Sequence, residues 1–272
     1  MRSGFRRNDG IPTVLRTVNA TRYVTPLREG GSLPAIVEAD DQGMYVLKFR
    51  GAGQGPKALI AELVAGEIAR ALGLPIPEIV FVELDAELAR TEPDPEIQDL
   101  IKASVGLNLA LDYLPGAVTF DPVVEAVDAE LASKLVWFDA LVTNVDRTPR
   151  NANLLVWHRR LWLIDHGAAL YFHHAWDDYL ARAAAPFALI RDHVLLPRAE
   201  KLAEVDAPLA ARLDERTIEH IVELIPAAWL AGDAPFADHR AHRAAYAEWL
   251  KHRLAAPRAF VEEAIRARAR DL

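Results

Sequence analysis

The chain contains no cysteine among its 272 residues. Disulfide bonds, zinc–thiolate sites and thiol chemistry are therefore excluded, and the composition fits a reducing cytoplasm. Long apolar runs are also missing, since none approaches the roughly 18 residues that a membrane-spanning helix needs. The first residues, MRSGFRRNDGIP, carry positive charge without the apolar segment of a secretory signal. We therefore predict a cytoplasmic protein with a flexible N-terminal arm over residues 1–20.

Basic residues are also fewer than acidic residues. The 31 Lys and Arg residues are outnumbered by 39 Asp and Glu residues, which gives a formal net charge of -8. A nucleic acid partner would need a basic surface to meet its phosphates, so none is expected. A membrane partner is not expected either, because the sequence has neither a basic nor a strongly apolar surface segment. What remains is a globular chain, long enough to bury a substantial core in one large domain or two lobes.

Residues 21–114 are predicted to form a β-rich region with one main helix. Five runs show the β-branched or alternating pattern of strands: RYVTPL, LPAIVEAD, MYVLKFR, PEIVFVELD and VGLNLALDYL. Between the third and fourth runs, KALIAELVAGEIARALGL repeats apolar residues at helical spacing and ends at Gly73. The segment TEPDPE is interpreted as an acidic surface loop.

Residues 115–272 are predicted to be mostly helical. EAVDAELASKLVWFDALVTN has a helical pattern, and nearly everything after Trp176 is expected to be helical too. The exception is a short apolar hairpin built from NLLVW and LWLID. Together, the two regions predict an α+β protein, in which a β-rich N-terminal lobe is followed by a helical C-terminal lobe with one inserted hairpin.

Three oxygen-bearing side chains flank this hairpin. Asp146 and Asn151 lie in NVDRTPRNAN before it, where Pro149 stiffens the loop, and Asp165 ends its second strand. Phosphoryl transfer needs one carboxylate to orient the attacking hydroxyl or accept its proton. It also needs oxygen ligands for Mg²⁺, and an amide plus a second carboxylate suffice once phosphates supply the rest. The alternative is that these residues only cap turns, which is reasonable for any one of them and is less favoured for all three at this spacing.

A lysine in the β-rich region supports the same chemistry. In MYVLKFR, alternation places Lys48 on the face opposite Tyr45 and Leu47. On its own, Lys48 could simply extend along the surface to solvent. The following helix, however, offers Glu62 and Glu67 as partners. Glu67 falls on the apolar stripe, where an unpaired carboxylate would be costly, so periodicity favours Glu67.

The order of these features resembles the HipA-like branch of the protein-kinase-like fold, whose members are bacterial serine/threonine kinases best known as toxins of toxin–antitoxin pairs. The pieces that carry the resemblance are VLKF, AELVAGEIARALGLPIPE, NVDRTPRNAN and LIDHGAAL. The match runs from about Thr25 to Leu170 and leaves the helical tail outside. DRxxxN with a later Asp-x-Gly is also similar to phosphatidylinositol kinases, so the signature indicates phosphoryl transfer more firmly than it indicates the acceptor.

The resemblance implies a role for each matched residue. It places Lys48 on the α- and β-phosphates of ATP, with Glu62 as its partner because the family's acidic residue lies at the helix start. Periodicity and resemblance therefore disagree about the partner of Lys48, and we adopt Glu62. The remaining implied roles are Asp146 as catalytic base, Asn151 and Asp165 as Mg²⁺ ligands, Asp112, Tyr113 and Leu114 as the hinge whose backbone meets adenine, and Gly30, Gly31 and Ser32 as the loop over the phosphates.

The resulting hypothesis is a two-lobed, ATP- and Mg²⁺-dependent kinase that phosphorylates a Ser or Thr hydroxyl of a protein. One alternative keeps the machinery but transfers phosphate to a lipid head group or a small metabolite. Another is a non-catalytic nucleotide-binding regulator, since a fold does not dictate a function. The family's toxin kinases carry a further N-terminal subdomain that helps to engage an antitoxin. This chain is much shorter and begins close to the expected nucleotide loop, so we do not expect an antitoxin partner from the resemblance.

Overall fold

The structure, a computed structural model, describes residues 14–27, 33–232 and 235–270. Most of the predicted N-terminal arm lies outside the described residues, and so do Gly30, Gly31 and Ser32 of the predicted phosphate loop. Within the described ranges, no helix combines the length and the apolar character that crossing a bilayer requires.

Five strands of the N-terminal region close into a barrel in the order β1-β2-β3-β5-β4. They are β1 Thr17–Pro26, β2 Ala35–Ala39, β3 Met44–Lys48, β4 Ile79–Leu84 and β5 Gly106–Asp112. Neighbouring strands pair antiparallel except β1 and β4, which pair parallel and close the barrel. The five predicted strands are all present, and β1 begins inside the segment predicted as an arm.

Side-chain alternation along β3 places some side chains in the barrel interior and the others on its outer face. Tyr45 and Leu47 are buried in the interior together with Val37 and Val80. A barrel of this size is filled by side chains, so its interior offers no ligand cavity. Lys48 lies on the opposite face of the strand, as the alternation predicts, and this face is covered by the first helix.

Helix α1, Pro56–Ala71, is buried on nearly every side. Each residue from Leu59 to Ala69 is buried, including two glutamates, as is typical of a helix that runs through a protein interior. Gly66 allows the helix to approach β4 closely, because a side chain at this position would collide with Ile79. Gly73 follows the helix with a φ of 76°, a left-handed conformation that glycine adopts without strain.

The surface loop predicted at TEPDPE is shorter than expected, since only Glu92, Pro93 and Asp94 lie outside regular structure. A 3-10 helix at Ala86–Thr91 enters this segment, and helix α2, Pro95–Ala103, begins within it. Asp94 caps α2 with its side chain, and proline is favoured at the first position of a helix because it has no N–H to leave unpaired. Ile97 and Ile101 pack against the barrel interior and so secure the helix.

The C-terminal region is helical around one small sheet. Its regular elements are β6 Val118–Thr119, α3 Ala129–Leu141, β7 Leu154–Trp157, β8 Arg160–Leu163, α4 Tyr179–Ala183, α5 Leu202–Ala210, α6 Glu215–Glu223, α7 His239–Leu254 and α8 Ala259–Arg270. The strands form an antiparallel sheet in the order β6-β7-β8. The α+β class predicted from the sequence is confirmed, with a sheet-rich N-terminal region and a helical C-terminal region.

The segment after β8 is held at both ends by main-chain hydrogen bonds. The Leu163 N–H donates to Pro75 O at 2.8 Å, which ties the end of β8 to the connection between α1 and β4. The Leu170 N–H donates to Val142 O at 2.7 Å, which ties the far end of the segment to the residue that follows α3. Asp165 therefore lies in a stretch that is held at its two ends by the residues that follow α1 and α3.

Arg253 of α7 anchors the end of α3. Its buried guanidinium donates to the Ala140 and Leu141 carbonyls at 2.6 Å each and to the Ala183 carbonyl at 2.9 Å. These carbonyls include the last ones of α3, which lack partners inside their own helix. Burial lowers the pKa of Arg253 to about 9, since no carboxylate of the described residues pairs with it.

We predict that Arg253→Met lowers the free energy of unfolding by about 2–4 kcal/mol. Methionine retains apolar contact with Trp249 and Phe260 but leaves the carbonyls unpaired. Chemical denaturation measures the change. Arg216→Met on the exposed side of α6 is the control and should change stability by less than about 0.5 kcal/mol. Equal effects of the two substitutions would contradict the anchoring role.

Candidate active site

Lys48 at the end of β3 lies between two carboxylates. Its Nζ donates to Glu62 Oε2 at 2.5 Å and to Asp165 Oδ1 at 2.5 Å, and its side chain is only 12% exposed. Burial alone would lower the pKa of Lys48, but the charges of Glu62 and Asp165 outweigh it and raise the pKa above its usual value. The lysine is therefore a fixed cation at the junction of the barrel, α1 and the segment after β8.

Glu62 is the partner of Lys48, which settles the conflict between the two helix glutamates. Glu62 is fully buried. Its Oε2, which accepts from Lys48, also accepts from the His166 backbone N–H at 2.7 Å, and its Oε1 lies 3.3 Å from His166 Nδ1. Burial raises the pKa of Glu62, but Lys48 and His166 together lower it to about 2. Glu67 instead accepts a hydrogen bond from Arg70 Nε at 3.1 Å, and burial raises its pKa.

Asp165 presents its carboxylate at the edge of this cluster. Its φ of 55° is left-handed, a conformation that aspartate tolerates better than most residues. Its side chain is 42% exposed, so the carboxylate can reach a ligand as well as Lys48. The side chain of His166, the next residue, is buried and lies against Glu62, whereas the side chain of Asp165 is partly exposed.

Asp146 lies in the loop before β7 with two amides around it. Asn151 Nδ2 donates to Asp146 Oδ2 at 2.8 Å, and Asn153 Nδ2 lies 3.4 Å from the same oxygen and 3.3 Å from the Asp146 carbonyl. Thr148 and Asn151 close the loop with reciprocal main-chain hydrogen bonds of 3.0 and 3.1 Å. Asp146 Oδ1 and Asn151 Oδ1 make no hydrogen bond to any described residue, so both oxygens are left available to a ligand.

The loop of Asp146 and the segment of Asp165 lie side by side. The Ile164 N–H donates to Asn153 O at 3.1 Å, which joins the residue before Asp165 to the end of the loop. Arg147, which is fully buried, donates through Nη1 to the same Asn153 carbonyl and reaches the Ile164 carbonyl at 3.5 Å. The structure thus brings the Lys48 cluster and the Asp146 loop into one region, with Asn151 bonded directly to Asp146.

Two of the three main-chain N–H groups of the predicted hinge donate hydrogen bonds within the protein. The Asp112 N–H donates to Glu78 O at 2.8 Å and the Tyr113 N–H donates to Met44 O at 2.9 Å. The Leu114 N–H has no hydrogen-bond partner in the described part of the chain. Burial, followed by the nearby Glu78 charge, raises the pKa of the Asp112 carboxyl to about 6.

The metal-binding capacity of the site rests on two oxygens. Among the described residues, no three His, Asp or Glu side chains converge as a ready-made ligand set. Asn151 and Asp165 supply hard oxygen donors of the kind that Mg²⁺ accepts when phosphates and water complete its shell. The free Oδ1 of Asn151 and the partly exposed carboxylate of Asp165 fit that requirement.

Sequence reasoning missed two residues that shape the site. His166 follows Asp165 directly, and a histidine between an acid and a glycine at a strand end could have been taken as a partner for a buried carboxylate. Asn153 immediately precedes the apolar run of β7, where a polar residue at a strand start is a weak signal. Its φ of 47° and its contact with Asp146 could not be read from its neighbours.

Comparisons with known proteins identify the family and the fold of the chain. A family model described as HipA-like kinase matches residues 21–256. No curated protein sequence gives a match. The Helicobacter pylori proinflammatory kinase CtkA superposes with a TM-score of 0.53 at 15% identity, covering 94% of this chain and 99% of that one. The Golgi casein kinase with Mn/ADP bound is more distant, with a TM-score of 0.46 at 10% identity, covering 89% of this chain and 73% of that one. At these identities the likeness concerns the fold.

A double-mutant cycle tests the pairing of Lys48 with Glu62. Lys48→Met and Glu62→Gln each leave a charge without its partner, so their effects on the free energy of unfolding should couple by about 0.5–3 kcal/mol. The matched control combines Lys48→Met with Glu67→Gln, a second buried glutamate on the same helix. That pair should be additive. Coupling of the control pair as large as that of Lys48 with Glu62 would contradict the assignment.

The two glutamates should also respond to pH in opposite directions. The folded-state pKa of Glu62 is about 2, below its ordinary value of 4.5, so Glu62 stabilises the fold above pH 4.5 and loses this contribution as the pH falls towards 2. The pKa of Glu67 is raised, so its ionisation costs stability as the pH rises above 4.5. Urea unfolding at pH 7 and pH 3 should show a cost of Glu62→Gln that grows with pH and a cost of Glu67→Gln that shrinks with pH.

Proposed function

The chain belongs to the HipA-like kinase family, and we propose that it transfers the γ-phosphate of ATP to a Ser or Thr hydroxyl of a protein with the help of Mg²⁺. Family membership supports a kinase, and the finer assignment rests on this chain's own residues. The observation that carries it is the convergence of Lys48 Nζ on Glu62 and Asp165, beside a loop in which Asp146 keeps one oxygen free.

Nucleotide binding is proposed at the junction of two lobes. The N-terminal lobe, residues 21–114, supplies Lys48, whose cation is charged under all ordinary conditions and suits the α- and β-phosphates. The Leu114 N–H is the free main-chain donor for the adenine ring, with Asp112 and Tyr113 completing the hinge. Gly30, Gly31 and Ser32 are proposed as the loop over the phosphates.

Metal binding is proposed at Asn151 and Asp165 in the C-terminal lobe, residues 115–272. The inserted hairpin β7–β8 separates the two residues along the chain, and the Asn153–Ile164 hydrogen bond keeps its two ends together. A bound Mg²⁺ would neutralise charge on the phosphates. Glu62 remains with Lys48 and His166 because it is fully buried, so it orients the lysine and does not act as a ligand.

Asp146 is proposed as the catalytic base. With Oδ2 engaged by Asn151, its free Oδ1 accepts the proton of the acceptor hydroxyl as the hydroxyl oxygen bonds to the γ-phosphorus. The bond between the γ-phosphorus and the β–γ bridging oxygen breaks, and ADP leaves with that electron pair. We propose a cytoplasmic protein acceptor, since neither the charge nor the composition of the chain suggests a lipid surface or a nucleic acid.

Asp146→Asn should lower phosphate transfer by at least about 100-fold, because the amide cannot accept the proton. The Kd for an ATP analogue should change by less than about threefold, since Asp146 does not hold the nucleotide. Transfer from radiolabelled ATP and calorimetric titration measure the two quantities. Asp99→Asn on the exposed side of α2 is the control and should leave both unchanged.

The choice of acceptor separates the proposal from its alternatives. Labelled ATP is supplied with a mixed protein extract, with phosphatidylinositol vesicles or with small metabolites, and phosphoamino acid analysis identifies the product. Phosphoserine or phosphothreonine supports the proposal. Label in lipid or metabolite alone would show a kinase with a different acceptor. Nucleotide binding without transfer or hydrolysis, unaffected by Asp146→Asn, would indicate a regulator and overturn the catalytic assignment.

A further inference from the structure

A buried carboxylate outside the proposed site accepts hydrogen bonds from three side chains in the interior of the C-terminal region. Asp139 of α3 is fully buried. Its Oδ1 accepts from Asn144 Nδ2 at 2.8 Å, and its Oδ2 accepts from Arg147 Nε at 2.6 Å and from His193 Nε2 at 3.0 Å. We call these four residues the Asp139 hub; each is at least nine-tenths buried.

The charge of Asp139 is the fixed element of the hub. Burial would raise the pKa of Asp139, but the Arg147 charge and the His193 hydrogen bond hold it well below its usual range. His193 Nδ1 accepts from the Leu195 N–H at 3.0 Å, so the imidazole proton lies on Nε2 and is donated to Asp139. An ionised carboxylate can only accept, so each neighbour must present a donor to it.

This requirement fixes the orientation of Asn144. Because Asn144 must turn Nδ2 towards Asp139, its Oδ1 faces the other way and accepts from the Asp146 N–H at 3.1 Å. The buried charge thus sets the direction of one amide, and that amide holds the main chain of Asp146. A neutral residue at position 139 would allow the amide to turn over and leave the Asp146 N–H unpaired.

Arg147 carries a second connection to the site. Its Nε is fixed by Asp139, and its Nη1 reaches the carbonyls of Asn153 and Ile164. Asn153 contacts Asp146, and Ile164 directly precedes Asp165. One buried carboxylate is therefore joined through single intermediates to the main chain on both sides of the site.

We propose that Asp139 is a positioning residue for phosphate transfer, acting through Asn144 and Arg147 to fix Asp146 relative to Asp165. This rests on the proposed function. Asp139 touches neither Lys48 nor the hinge, so its charge should govern the rate of the transfer step more than the binding of ATP. Misplacement of a reacting group by about 1 Å can cost about 100-fold in rate.

The test compares Asp139→Asn with Asp206→Asn. Asp206 of α5 also holds an arginine, accepting from Arg258 at 2.7 and 2.8 Å, and also contacts α3 through Trp137 at 2.8 Å, but it touches no residue of the hub. Both substitutions remove one carboxylate from an Asp–Arg pair. Asp139→Asn should lower kcat about 10- to 100-fold with KM for ATP within about threefold. Asp206→Asn should leave kcat within about twofold.

A second measurement is independent of any acceptor. Amide hydrogen exchange of residues 144–153 should accelerate in Asp139→Asn and stay unchanged in Asp206→Asn. If the wild-type chain transfers no phosphate, the proposed function fails, whereas this measurement still reports on the hub. If Asp139→Asn does not fold, Asn144→Ala serves in its place, with the same split between kcat and KM. Unchanged exchange, or a kcat no lower than that of Asp206→Asn, would overturn the inference.

Discussion

A buried ammonium group is the constraint on which the candidate site depends. Removing the Lys48 charge from water costs several kcal/mol unless carboxylates compensate for it. Glu62 comes from α1 and Asp165 from the segment after β8, so the compensation is complete only when the barrel, the buried helix and the end of the hairpin have come together. The electrostatic cost of one side chain thus enforces the relative placement of three elements that are distant in sequence.

The sequence predicts well what depends on short-range pattern. Alternation in MYVLKFR separated the barrel interior from the face of Lys48, and the helical spacing after it located α1. Periodicity favoured Glu67, whereas Lys48 bonds to Glu62, because a helix buried on all sides has no polar face from which to read its orientation. The 3-10 helix and α2 were missed because proline and acids were read as loop signals, although Asp94 and Pro95 start a helix.

The residues that sequence reasoning could not find are those whose partners are distant. Asp139 stands inside the apolar run LVWFDAL, where an acid could be taken for a surface position of a helix. Its three partners come from the following loop and from a turn more than fifty residues further on. Only the fold shows that this acid is buried, that its charge is matched, and that an amide between it and Asp146 has a single permitted orientation.

Closure of the barrel by the parallel pairing of β1 and β4 has a consequence for the behaviour of the protein in concentrated solution. A sheet with free edges offers unpaired N–H and C=O groups to other chains, and this is a common start of aggregation. The five-stranded sheet has no such edge among the described residues. The outer strands of the second sheet, β6 and β8, have two and four residues, too short to act as templates. The sheets of the described residues are thereby protected against edge-to-edge association between copies of the protein.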